Sequence, residues 1–366
     1  MRPLRGNVLV PYGQFLTLCF PVVVSFLLLS ATPAEAQLPE SPKELYAATC
    51  AKCHAEDGTG RLPTPTVKNL PRDFTNCALA TAEPDADWEL VTAQGGPAAG
   101  LSSEMPAFGD AFSPERISGL VQYVRGFCKE PGWPLGNLNL PLALFTEKAF
   151  PEDEFVIRTV VSHTADEPAS LRFRAVYEHR LGRRAHAEIG LPIASASGTG
   201  SRSTGLGDVE VAAKYVLHTD NVSRIVSAGM EVALPTGSER RGLGSGTTSF
   251  EPYLAAGAIL GELIVQSQFK VEFPARELWT GREILYNFYF GHSLSTAPST
   301  WTFALELNGV EKQLALTPQV RKSVTRTGAL ALGAGVRIPV VNRPSQSTQF
   351  AGYLLWEYLD LVRPRP

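Results

Sequence analysis

From about residue 153 to residue 360, apolar and polar side chains alternate with a period of two, as in Leu171-Arg172-Phe173-Arg174-Ala175, Ala185-His186-Ala187-Glu188-Ile189-Gly190-Leu191 and Gln266-Ser267-Gln268-Phe269-Lys270-Val271-Glu272. Successive strand residues point to opposite faces, so this pattern predicts β-strands with one apolar and one polar face. Twelve strands are predicted, at 154–163, 169–180, 183–194, 207–218, 223–234, 248–260, 262–273, 283–294, 300–309, 311–321, 328–338 and 347–358. Their lengths lie near the ~9–11 residues that a tilted strand needs to cross a bilayer. The connections after strands 2, 4 and 6 are short. Those after strands 3, 5 and 7 are longer, and 195–206 and 235–247 are rich in Gly, Ser and Arg. Short turns on one side and longer loops on the other are the signature of an outer-membrane barrel. The competing expectation is a soluble all-β sandwich, whose strands also alternate.

The periodicity differs upstream. Over residues 38–130, Ser41-Pro42-Lys43-Glu44 and Ser113-Pro114-Glu115 read as helix starts, and Ile117, Leu120, Val121, Val124 and Phe127 recur at helical spacing. Residues 131–152, with Pro131, Pro134, Pro141 and Pro151 plus Gly132 and Gly136, show no period and read as a stiff linker. At the N-terminus, Arg2 and Arg5 precede the apolar run 15–29, and Ala34-Glu35-Ala36 follows. These are the three parts of a secretory signal peptide, placed at 1–36. The predicted fold is therefore multidomain: a small all-α domain followed by an all-β antiparallel domain, a twelve-stranded transmembrane β-barrel.

Composition adds exclusions. In 366 residues, 33 Lys+Arg against 36 Asp+Glu leave no electrostatic case for nucleic acid. A mean hydropathy near zero excludes a bundle of membrane helices but suits a barrel, whose two faces cancel. Residues 37–136 hold 13 acids and 8 bases, an acidic balance suited to a solvated surface or to steering a basic partner.

The chemistry sits in the helical segment. Cys50-Ala51-Lys52-Cys53-His54 is C-x-x-C-H, the pattern that attaches one c-type haem covalently. Two thiols one helical turn apart reach the two vinyl groups of a porphyrin edge, and the adjacent imidazole reaches the iron. A sixth ligand is expected downstream on a loop, and Met105, followed by Pro106, is the candidate. A thioether opposite an imidazole raises the potential and closes both axial sites, favouring electron transfer over enzyme activity. Cys77 and Cys128 are an even pair in an exported protein and are expected as a disulfide, with two separate thiols as the alternative. No catalytic constellation and no phosphate-binding loop emerges. His163, His179, His186, His218 and His292 are scattered along the strands with no second C-x-x-C-H and are read as single histidines of a polar interior.

The segment with Tyr46, C-x-x-C-H, Asp57-Gly58-Thr59-Gly60, the Met-Pro-Ala-Phe loop and Tyr123 resembles a class I mono-haem cytochrome c over about 90 residues. The resemblance implies a low-spin electron carrier with His54 and Met105 as iron ligands. Gly205-Leu206-Gly207-Asp208-Val209-Glu210-Val211-Ala212-Ala213-Lys214-Tyr215 resembles strands of transporter-like and phenol-degradation-pathway outer-membrane barrels. The order of the two parts is similar to cytochrome–porin fusions that pass electrons across the outer membrane, including those of extracellular iron oxidation. That resemblance implies a periplasmic redox protein, outer-membrane lipid and an extracellular electron donor or acceptor as partners. It places the haem domain in the periplasm, against the barrel mouth. Two other readings stand beside it: a solute-conducting pore with a redox-gating cytochrome, and a soluble periplasmic carrier with a β binding domain.

Overall fold

The alternation that begins at Glu154 folds into one closed antiparallel sheet. The computed structural model describes residues 41–62, 67–163, 170–197, 202–276, 281–296, 299–342 and 347–358. The export signal read at 1–36 lies outside the described residues. The strands are β1 (Glu154–His163), β2 (Ser170–Leu181), β3 (Ala185–Ser197), β4 (Arg202–Leu206), β5 (Val209–Thr219), β6 (Arg224–Leu234), β7 (Ser249–Leu260), β8 (Leu263–Pro274), β9 (Glu283–Thr296), β10 (Ser299–Val310), β11 (Gln313–Ser323), β12 (Leu330–Val341) and β13 (Thr348–Glu357). Apart from β4, which pairs only with β3, each strand has a partner on both sides: β5 pairs with β3 and β6, and β1 pairs with β13 and β2, so the sheet closes on itself.

The predicted twelve strands correspond to twelve staves. The additional short strand β4 continues the line of β5: both pair with β3, β4 along its second half and β5 along its first. The break between them is at Gly207-Asp208. The Asp208 carboxylate accepts from the backbone N–H groups of Gly237 (2.9 Å) and Ser245 (2.6 Å), tying the loop 235–248 over the stave.

The outward faces carry Leu171, Tyr215, Phe269, Phe303, Leu332 and Phe350, all well exposed. A closed barrel with an apolar exterior satisfies its backbone internally and leaves side chains for lipid, the one way an antiparallel sheet spans a membrane. The inner face carries Glu, Lys, Arg, Asn and Gln. No helix among the described residues is long and apolar enough to cross a membrane.

The linker expected at 131–152 requires correction. The segment is no free spacer, for it enters the barrel and fills part of the lumen. Leu138 and Ala143 are wholly inaccessible, and Leu142, Leu144, Thr146, Lys148 and Phe150 are buried. Apart from one 3-10 turn at Gly136–Leu138, prolines and glycines keep this stretch out of helix and sheet, so its backbone groups need partners elsewhere. Strand side chains supply them: Gln266 Nε2 donates to Pro141 O (2.8 Å), Tyr353 Oη to Leu142 O (2.6 Å) and Lys214 Nζ to Lys148 O (2.7 Å). The Glu306 carboxylate accepts from Leu144 N (2.9 Å), Phe145 N (3.2 Å), Thr146 N (2.8 Å) and Thr146 Oγ1 (2.6 Å). Apolar side chains of this plug meet inward residues in two clusters. Leu142 and Leu144 join Val156, Val176 and Leu355, while Leu138 and Phe150 join Val216, Ile225 and Tyr253. Pro/Gly content read as a spacer because composition reports the lack of regular structure and not burial.

Among the described residues, the N-terminal part holds five α-helices: α1 (Pro42–Thr49), α2 (Ala51–His54), α3 (Cys77–Ala80), α4 (Asp85–Gln94) and α5 (Pro114–Arg125). Ser41 Oγ accepts from Glu44 N (3.2 Å) and caps α1, and Ser113 Oγ accepts from Arg116 N (3.4 Å) and caps α5. Leu45 and Tyr46 of α1 are buried, as are Ile117, Leu120, Val121 and Val124 of α5. Tyr46 meets Tyr123 (ring centroids 5.5 Å) and Phe127 (5.1 Å). Cys77 and Cys128 form a disulfide across 51 residues, with Cα atoms 5.0 Å apart. This helical part lies at the end of the barrel with the short turns. Arg183 and Arg184, in the β2–β3 turn, donate to Pro131 O (3.1 Å) and Gly132 O (3.0 Å), and Asn221, in the β5–β6 turn, donates to Trp133 O (3.1 Å).

Candidate functional site

The C-x-x-C-H sequence spans the junction of α1 and α2. Cys50 closes α1, and α2 carries Cys53 and His54, after which Ala55 turns the chain with φ of 61°. Tyr46 fixes this turn from inside the helix pair, its hydroxyl donating to Ala55 O at 2.7 Å. Burial pushes the Tyr46 hydroxyl well above its ordinary range, so it stays a donor. The Cys50 and Cys53 thiols are half-buried and outside the disulfide.

His54 is oriented from two sides. Its ring stacks on Phe74 at 4.4 Å, and Nδ1 lies 3.4 Å from Arg72 O. Nδ1–H donating to that carbonyl leaves Nε2 as the basic nitrogen, the arrangement in which an imidazole ligates a metal. Burial pushes the His54 pKa below its usual value, outweighing the Arg72 carbonyl, so the neutral ring is favoured. Burial likewise pushes the Cys50 thiol up. These donors suit a haem: two thiols one turn apart and a neutral imidazole with one nitrogen committed to orientation.

Met105 lies on the loop between α4 and α5. Gly95 and Gly96 shape its seat: Gly95 has φ of 81°, and Gly96 N donates to Met105 O at 3.0 Å. A Cβ on Gly96 would stand 2.1 Å from Ser102 O, so only glycine lets the loop fold this close. Phe108 N and Gly109 N then donate to Thr92 O (3.0 Å) and Ala93 O (2.9 Å), binding the loop to the end of α4. Glu104, beside Met105, accepts from Lys68 N (2.9 Å) and Asn69 N (3.3 Å), which hold its carboxyl below the usual range. Phe74 packs on Trp88 of α4 at 5.5 Å, so the His54 turn and the Met105 loop share one aromatic support.

Sequence reasoning did not single out the residues that brace this support. Arg125 stacks its guanidinium over Trp88 (4.6 Å) and pairs with Asp85 (2.8 Å). Asp85 also accepts from Gln122 (2.9 Å) and Asn137 (3.0 Å). Burial pushes Asp85 up, but these hydrogen bonds and Arg125 outweigh it and hold the carboxyl below its ordinary value. A depressed folded-state pKa stabilises above the unfolded value near 3.9 and is lost as pH falls through the folded one. Asp85→Ala should therefore cost about 1–3 kcal/mol at pH 7 by stranding Arg125. Thermal melts followed by haem absorbance should show that difference shrinking below about pH 4.

Residues 37–124 match the family described as cytochrome c oxidase, cbb3-type, subunit III. No curated protein matches the chain in sequence. Among solved structures, the COG4313 outer membrane channel from Pseudomonas putida F1 is similar at 12% identity and a TM-score of 0.43, over 59% of this chain and 99% of that one. The KdgM porin is similar at 16% identity and a TM-score of 0.38, over 56% of this chain and 98% of that one. The molecule thus joins a helical segment similar to a cytochrome c domain to a closed β-barrel with an apolar exterior. Residues 164–352, a little over half of the chain, match the family described as putative MetA-pathway of phenol degradation, and the chain belongs to that family.

Proposed function

We propose that this protein relays single electrons between a periplasmic redox protein and the outer membrane or the extracellular side. The carrier is one haem c, bonded through Cys50 and Cys53 and ligated by His54 and Met105. The observation that carries this reading is the His54 ring, whose Nδ1 is turned to a backbone carbonyl and whose Nε2 is left for iron. Haem held there by Cys50, Cys53, His54 and Met105 would supply one-electron exchange between ferric and ferrous states. The chain's own residues fix the ring, the thiols and the loop. The domain sits against the short-turn mouth, which is the periplasmic side of an outer-membrane barrel. Outer-membrane lipid meets the apolar belt.

A second reading, a pore governed by the cytochrome, is supported by the plug, which is continuous in sequence with the haem domain and occupies the lumen. Intact cells separate the two. With the haem reduced, an impermeant extracellular ferric chelate should bleach the reduced haem absorbance in cells carrying the protein. If only a permeant oxidant bleaches it, the relay ends in the periplasm and the pore reading gains.

A further inference from the structure

Above the plug tip the lumen opens into a cavity of about 180 Å³. That is smaller than the roughly 300–1,000 Å³ of pockets that take drug-sized ligands. Most of its charges are divided between opposite walls, while Glu147 of the plug and Glu178 of β2 also line it. In the cyclic order of staves, β1, β13, β12 and β11 are adjacent and carry Arg158, Arg337 and Arg321 inward. Across the lumen, β3, β5, β6 and β7 are adjacent and carry Glu188, Glu210, Glu231 and Glu251.

Two cations serve the four carboxylates of the acidic wall. Arg174 reaches Glu188 (2.9 Å), Glu210 and Glu231 (3.5 Å), and Lys270 pairs with Glu251 and lies 3.9 Å from Glu231. On the plug, Glu147 pairs with Lys214 at 3.0 Å.

The basic wall has no direct ion pair among the described residues, and Glu147 and Glu306 act on Arg158 and Arg337 only from a distance. Neither Arg158 nor Arg337 has a carboxylate within salt-bridge distance among the described residues. Arg158 donates to Leu144 O (3.1 Å) and Arg337 to Gln349 Oε1 (3.3 Å), and the Nε of each is buried with no hydrogen-bond partner. The carboxylate on that side, Glu306, is already engaged by the plug backbone and by Thr146. A guanidinium presents five N–H donors in a planar fork and retains its charge in a protein interior. Two such forks with spare donors beside one cavity form a site for an anion. Phe145, whose ring lies 5.5 Å from the Arg337 guanidinium, Leu285 and Val310 supply an apolar part of the lining.

We propose that this cavity binds a small organic carboxylate, its head held by Arg158 and Arg337 and its short apolar body by Phe145, Leu285 and Val310. The transverse arrangement of charge orients it, carboxylate toward β1 and β12 and away from Glu188 and Glu231. Charge-assisted, forked hydrogen bonds supply affinity for the head.

The test uses the full haem-loaded chain in detergent and ligand-observed NMR titration with hexanoate, hexanamide, hexylamine and inorganic phosphate. Hexanoate should bind at least tenfold more tightly than hexanamide or hexylamine, and more tightly than phosphate. Arg158→Gln and Arg337→Gln, checked for heat-modifiable gel mobility, should each weaken hexanoate tenfold or more, and Phe145→Ala should weaken hexanoate but not phosphate. Equal binding of hexanoate and hexanamide by the unaltered protein would overturn the proposal without any variant. So would arginine variants that bind hexanoate unchanged, or phosphate binding as tightly as hexanoate.

Discussion

Replacing Met105 with histidine will lower the reduction potential of the haem and remove the weak red-edge sulfur–iron absorption of the oxidised protein. The physical cause lies in the ligand. A thioether is a soft, neutral donor that favours ferrous iron, whereas a second imidazole donates more strongly and favours the ferric state. Axial ligands span about 0.8 V of potential, so a shift on the order of 0.1 V or more is expected from this exchange. The seat makes the test clean. Gly96 N bonds to the backbone oxygen of Met105, and Phe108 and Gly109 are tied to α4 through backbone groups, so the loop's course does not depend on the Met side chain. Met105→Ala should instead leave iron with one protein ligand and admit peroxide chemistry. A redox titration with optical detection measures both variants. An unchanged potential and an unchanged red-edge band in Met105→His would assign the sixth position to another residue.

Much of this site was legible because it is local. C-x-x-C-H needs five residues and one helical turn, and Ser-Pro-x-Glu announces a helix from its own first turn. The barrel was legible for the same reason, since alternation is a property of each strand alone. The short strand β4 was not, because its pairing with β3 depends on the bend at Asp208 and on amides brought from the loop 235–248. Asp85 and Arg125 are 40 residues apart, and Trp88 carries no mark of the guanidinium stacked on it. The plug is the sharpest case. Residues 133–152 lack periodicity because their donors and acceptors are met by side chains from strands around the whole barrel. Glu306, the acceptor for the plug tip, is 160 residues away from Thr146. A glutamate inside a strand pattern announces only that one face is polar.

Removing that plug will open the barrel. In planar bilayers the intact protein should show little or no conductance. A chain in which residues 140–150 are replaced by an equal length of Gly and Ser should conduct in stable, ohmic steps. The expectation rests on how the lumen is filled. Plug leucines and Phe150 pack against inward residues of the staves in two clusters, burying the lower part of the interior. Glu306→Ala tests the same element at one atom group. Its carboxylate accepts from three successive plug amides and from the Thr146 hydroxyl, and each buried donor left without an acceptor costs about 1–3 kcal/mol. Water entering from the cavity above offsets part of that, so the net loss should be about 3 kcal/mol or more, enough to convert a closed lumen into one that flickers open. The staves themselves should hold, because their ladder is closed on itself and does not pass through the plug. Retained heat-modifiable mobility in both variants would show this. If the Gly/Ser chain, so verified, is as silent as the intact protein, the closure lies in the loops of the long-loop side and not in residues 140–150.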